Sequence, residues 1–152
     1  MLLAVSLPES PIIEAQRKCV VDACARHLLT PHGLRSLAPG DPRFRGAYSG
    51  APEQRDTAYH QGTVWGWLLG PFVLAHLRVY GDGEAAASFL EPISHHLSAA
   101  GLGSVSEIFD GDPPFLPRGA IAQAWSVGEI LRAWRACYEA GLTKKKRSRI
   151  RP

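Results

Sequence analysis

Val64-Trp65-Gly66-Trp67-Leu68-Leu69-Gly70-Pro71-Phe72-Val73-Leu74-Ala75-His76-Leu77 is the most apolar run of the chain. Its 14 residues are too few to cross a bilayer, which takes about 20 helical residues, so the run reads as a buried helix. Thr63 stands where a helix cap belongs, and the pattern predicts a helix from there to about Tyr80. Apolar side chains cover nearly its whole circumference, so it is expected to be buried on most sides. Pro71 is expected to kink it, because proline removes a backbone donor and crowds the preceding turn.

On the N-terminal side, residues 1–9 read as an extended lead-in whose Met1–Val5 is apolar enough to be buried. It resembles the interior of a larger protein more than a natural start. Ser10-Pro11 looks like a helix start, and Ile13, Val20, Cys24 and Leu28 carry a helix to about Leu29. Residues 30–58 are crowded with proline and glycine. Such a long aperiodic stretch inside a domain is usually functional or disordered, and Arg35, Arg43, Phe44, Arg45, Tyr48 and Arg55 favour an ordered loop.

On the C-terminal side, Gly81-Asp82-Gly83 is a turn with Asp82 as the next cap. Ala86, Leu90, Ile93 and Leu97 mark a helix to Gly101, which Pro92 threatens to split. The loop Gly103–Phe115 follows. A last helix starts near Ile121, with Ala124, Val127, Leu131, Trp134 and Tyr138 as its core stripe and Gly141 as its stop. No segment alternates convincingly as a strand. The expectation is an all-α fold of helical hairpins, with the loops 30–62 and 102–120 at one end.

Composition narrows the function. A chain of 152 residues with 45% hydrophobic and 20% charged residues is one globular domain with a sizeable core. Six cations crowd Lys144–Pro152, and taking them from the net +3 leaves −3 for residues 1–143. The body is acidic, which argues against a folded nucleic-acid-binding face. Cys19, Cys24 and Cys137 lack CxxC spacing and suggest a reducing cytoplasm. No signal peptide or membrane span is expected. No glycine fingerprint follows a strand, so no cofactor is expected.

Two segments carry candidate chemistry. Gly103–Phe115 packs Glu107, Asp110 and Asp112 among Phe109 and Phe115. A carboxylate beside aromatic rings suits sugar processing, although the same composition describes an ordinary turn. Arg55-Asp56-Thr57-Ala58-Tyr59-His60-Gln61-Gly62-Thr63-Val64-Trp65 gathers hydrogen-bonding groups for hydroxyls and an indole for a sugar face. Equally, Arg55 could pair with Asp56 while His60 and Trp65 serve the interior. Asp56 and His60 would share a face only on a helix, which Gly62 and the preceding breakers oppose, so no metal site is expected. Trp125 lies one position off the expected core stripe and either projects toward the loops or packs.

The strings Thr30-Pro31-His32-Gly33-Leu34-Arg35-Ser36-Leu37, Asp41-Pro42, Tyr59-His60-Gln61-Gly62-Thr63-Val64-Trp65, Ser106-Glu107-Ile108-Phe109-Asp110-Gly111 and Gln123-Ala124-Trp125-Ser126, with Arg55-Asp56, together resemble a known family. It is the C-terminal amylo-alpha-1,6-glucosidase domain of glycogen debranching enzyme. The resemblance implies a partial domain over 1–141, about the last third of an (α/α)6 toroid; residues 142–152 fall outside it and read as a basic, disordered tail. It implies an inverting glycoside hydrolase acting on alpha-1,6-linked glucose of glycogen or a branched alpha-glucan oligosaccharide. Glu107 then matches the general base. Arg55, Asp56, His60, Gln61, Trp65 and Trp125 match a substrate pocket, with Asp110 shaping its loop. The family's acid is an aspartate upstream, so the resemblance also implies a fragment that is inactive without the missing N-terminal part and exposes apolar surface. Two other expectations stand beside it: a non-catalytic carbohydrate-binding or assembly module, and an unrelated helical protein whose basic tail binds nucleic acid or acidic surfaces.

Overall fold

A computed structural model of the protein describes residues 1–150, with side chains described as far as Gly141. The frame is all-α. Its helices are α1 (Leu2–Ser6), α2 (Glu14–His27), α3 (Pro52–Ala58), α4 (Leu69–Tyr80), α5 (Gly83–Ser88), α6 (Glu91–Ala99) and α7 (Ala124–Ile150). Helix α4 is the hub, and α1, α2, α5 and α7 all pack on it. Every residue from Leu69 to Ala75 is buried, as the apolar run foretold.

Helix α4 begins later than Thr63. Val64–Trp65 is a strand and Gly66–Leu68 a 3-10 turn, and the Thr63 hydroxyl donates to the Tyr59 carbonyl at 2.6 Å instead of capping. Pro71 therefore falls in the first turn of α4, where its missing N–H would have had no intrahelical partner, and the expected reason for a kink is gone. At the other end Gly81 adopts φ 65° and its N–H returns to Leu77 O at 2.8 Å.

The lead-in is helical where an extended segment was expected. Leu-Leu-Ala-Val-Ser has good helix formers, and as α1 it turns Leu2 and Val5 into the core. Helix α2 starts at Glu14 instead of Ser10, because the Ser10 hydroxyl accepts from Ile12 N–H in a local turn before the helix. Asp82 does cap, accepting from Glu84 and Ala85 N–H at 3.1 Å. Pro92 splits the next helix, and α6 carries it in its first turn.

The expected core stripe of α7 is also corrected. Leu131, Trp134 and Tyr138 are 58%, 57% and 57% exposed, while Ser126, Ala133 and Cys137 are buried. Close approach selects the small residues: a Cβ on Gly70 of α4 would lie 2.6 Å from Glu129 O of α7. Helix α7 also passes through Gly141, where a stop was expected. One helical glycine costs only about 1 kcal/mol. The expected disordered tail falls on 142–152, outside the residues whose side chains are described, and 151–152 lie outside the description altogether.

Five strands of two or three residues, too short to leave an alternating pattern, form an antiparallel sheet. They are β1 (Leu29–Thr30), β2 (Gly33–Arg35), β3 (Val64–Trp65), β4 (Ile108–Phe109) and β5 (Pro117–Arg118), paired in chain order. Trp65 faces Leu34 on one side and Ile108 on the other. The sheet thus joins the two long loops, as their expected common end requires. Gly111 N–H donates to Gly46 O at 2.7 Å, and Arg35 Nε to Gly111 O at 2.8 Å. Among the described residues, no helix is long and apolar enough to cross a membrane.

Candidate active site

Glu107 immediately precedes β4. Its main chain is paired on both flanks: its N–H donates to Ala120 O at 3.0 Å and its carbonyl accepts from Gly66 N–H at 3.3 Å. Both carboxylate oxygens are held as well. The Tyr59 phenol donates to Oε1, and Ala120 N–H donates to Oε2 at 2.9 Å. A carboxylate has about four lone-pair sites, so two donors leave it able to accept more.

Tyr59 connects this carboxylate to the aromatic segment. Its ring meets Trp65 edge-on at 4.8 Å and His60 at 4.9 Å. Its carbonyl accepts from the Trp65 indole N–H at 3.2 Å. His60 stacks flat on Trp65, with centroids 5.2 Å apart and planes within 1°. Burial, then the hydrogen bond to Glu107 and its charge, push the Tyr59 phenol up to about 12, so it stays a donor at ordinary pH. The tight approach of the neighbouring turn explains Gly62: it adopts φ 146°, and a Cβ there would sit 2.3 Å from Arg45 O.

Beside Trp65 opens a hollow of about 380 Å³, lined by Ser36, His60, Trp65, Trp67, Leu68 and Trp125. Trp125 projects from the first turn of α7 and stacks on Trp67 at 4.1 Å. Three indoles with an imidazole and a hydroxyl offer apolar faces for sugar C–H groups and polar edges for hydroxyls. Neither Glu107 nor Tyr59 is among the lining residues; Tyr59, which holds Glu107, touches two of them, His60 and Trp65.

The remaining candidates lie elsewhere. Arg55 and Asp56 are exposed on α3, a helix the sequence reading opposed at this place, and Gln61 holds the turn by accepting from Arg45 N–H at 2.6 Å through its carbonyl. None of the three lines the hollow. Asp110 is tied up structurally: its Oδ2 takes Arg118 Nε at 3.1 Å and Nη2 at 3.0 Å, and its Oδ1 takes Tyr48 N–H at 2.8 Å. Within β4, Phe109 is fully buried between His32, stacked at 4.6 Å, and His96, edge-on at 4.9 Å. His96 Nε2 accepts from Ser106 N–H at 3.2 Å, so this imidazole is neutral at that nitrogen. Burial lowers the pKa of both histidines.

Tyr59, Trp67, Ser36 and Arg118 were not candidates from sequence. Tyr59 stands in the quoted His60–Trp65 neighbourhood, but nothing in its spacing announces a bond to a residue 48 positions away.

A family model described as Amylo-alpha-1,6-glucosidase matches residues 1–132. The chain belongs to this family. The amylo-alpha-1,6-glucosidase match covers α1 through the first turns of α7, and therefore Glu107, Tyr59 and the whole lining of the hollow. It identifies the chain as debranching-enzyme C-terminal region and accounts for the joint occurrence of the strings around His60 and Glu107.

Proposed function

We propose that this chain supplies the general base of an inverting glycoside hydrolase that removes alpha-1,6-linked glucose at glycogen branch points. The observation that carries the reading is the placement of Glu107: its carboxylate is held at both oxygens and is bonded through Tyr59 to the wall of a tryptophan-lined hollow. In this reading a water oxygen attacks the glucosyl C1 while Glu107 takes the water proton. The C1–O bond to the branch breaks, and an acid on the opposite side protonates the departing oxygen. Inverting enzymes place the two carboxyl groups about 6.5–9.5 Å apart to admit that water. The reading assigns the acid to a segment outside residues 1–152 and the terminal glucose to the hollow, against Trp65 and Trp125. The four-helix surroundings of α4 then correspond to part of an (α/α)6 toroid, whose other helices cover the outward row Leu131, Trp134 and Tyr138.

A second reading has its own support. Since Glu107 does not line the hollow, the aromatic walls also suit a carbohydrate-binding module without chemistry. Hydrolysis of a branched alpha-glucan by the enzyme containing this chain, compared between wild type and Glu107→Gln, separates the two. The first reading expects turnover to fall by at least about 100-fold while glucan binding persists; unchanged turnover with binding intact favours the second.

A further inference from the structure

We propose that Tyr59 is a positioning residue for the reaction, one side chain that aims the Glu107 carboxylate and sets the Trp65 wall of the hollow. The inference rests on Glu107 acting as the base, and it assigns a distinct task to a residue that does not itself exchange protons with substrate.

Three groups of Tyr59 are engaged: phenol, ring and carbonyl. Its phenol donates to Oε1 of Glu107. Its ring packs edge-on against Trp65 at 4.8 Å. Its carbonyl takes the Trp65 indole N–H at 3.2 Å and the Thr63 hydroxyl at 2.6 Å, which fixes the turn leading into β3. A glutamate side chain has three rotatable bonds, and a single anchor would let the carboxylate swing. With Ala120 N–H on Oε2 and Tyr59 on Oε1, both the direction and the rotation of the carboxylate plane are set. Misplacing a reacting group by about 1 Å can cost about 100-fold in rate. Because burial keeps the phenol protonated far above neutral pH, Tyr59 remains a donor throughout the working range and does not compete for the water proton.

The test is a double-mutant cycle in the full enzyme that contains this chain, with Tyr59→Phe, Glu107→Gln and the pair. Tyr59→Phe keeps the ring and removes only the donor. The expected result is a kcat lowered about 10- to 100-fold with KM within twofold of wild type. In the Glu107→Gln background, Tyr59→Phe should bring no further loss, since it acts only through the carboxylate. Wild-type kcat in Tyr59→Phe, or equal losses in both backgrounds, overturns the positioning role. Retained turnover in Glu107→Gln defeats the base assignment instead, so the two failures are distinct. Should Tyr59→Phe not fold, alkaline absorbance titration of the tyrosines replaces it. Glu107→Gln should make the last-ionising phenol titrate at lower pH, and an unchanged curve overturns the proposal.

Discussion

The indoles of Trp67 and Trp125 lie stacked, with centroids 4.1 Å apart and planes 16° apart. One belongs to the 3-10 turn that opens α4, the other to the first turn of α7. The pair therefore pins the two helices at the mouth of the hollow and builds its wall at once. Trp125 is nonetheless 54% exposed, so its outer face is free for a ligand.

Trp125→Ala removes that face with little loss from the core. The expected cost is about 1 kcal/mol of glucan-oligosaccharide binding, roughly fivefold in Kd, read by tryptophan fluorescence titration or calorimetry. The melting temperature should move little. Unchanged affinity would show that the ligand does not use this wall.

Asp110 and Arg118 form a bidentate pair across the loop that follows Glu107, and the Asp110 side chain is only 10% exposed. Asp110→Asn leaves the guanidinium without its charge partner while keeping an acceptor for Tyr48 N–H. Stability should fall by about 2 kcal/mol in chemical denaturation, because a half-buried cation loses its counter-charge. Turnover at low temperature, where the fold is intact, should stay within a few-fold of wild type. A catalytic-scale loss in the folded protein would give Asp110 a part in the chemistry.

The close packing of α4 on α7 rests on Gly70. Gly70→Ala would drive a methyl to 2.6 Å from the Glu129 carbonyl oxygen, which is backbone and cannot swing aside. Overpacking of this kind typically costs about 1–3 kcal/mol. Differential scanning calorimetry should show the lower melting temperature, although alanine is the better helix former. A more stable variant would mean that the two helices sit farther apart.

What the sequence allowed follows from the length scale of each pattern. The hub helix was legible because Leu69–Ala75 is apolar on every side, which only burial on most sides explains. The Asp82 cap was legible because its two N–H partners are two and three residues away. The strands were not, since two residues cannot alternate. The α7 face was misread because hydrophobic size and helix–helix distance compete: Leu131, Trp134 and Tyr138 have the stronger apolar pattern, yet Gly70 draws the helices too close for them. In the site, Glu107 and the His60–Trp65 run were legible as local strings. Tyr59 was hidden because its role depends on a contact that only the β3–β4 pairing creates.

His32 and His96 clamp Phe109 directly behind the Glu107 loop, and burial lowers the pKa of each, as it does for His76. Each binds a proton more weakly in the fold than in the unfolded chain, which takes one up below the ordinary value near 6.5. Their contribution is therefore complete above that pH and is lost as pH falls from there toward the lower folded values. The melting temperature should drop between about pH 7.5 and 5.5. His96→Gln, which keeps an acceptor for Ser106 N–H but does not titrate, should flatten the drop without abolishing it. An equally steep dependence in that variant would place the titration elsewhere.

The central claim is that Glu107 takes the proton from the attacking water, and Glu107→Gln addresses it most directly. Glutamine keeps the size of the side chain and an oxygen for the Tyr59 phenol, but it is not a base. In the full enzyme, initial rates on a branched alpha-glucan should fall by at least about 100-fold with oligosaccharide binding retained. A rate within a few-fold of wild type would contradict the account.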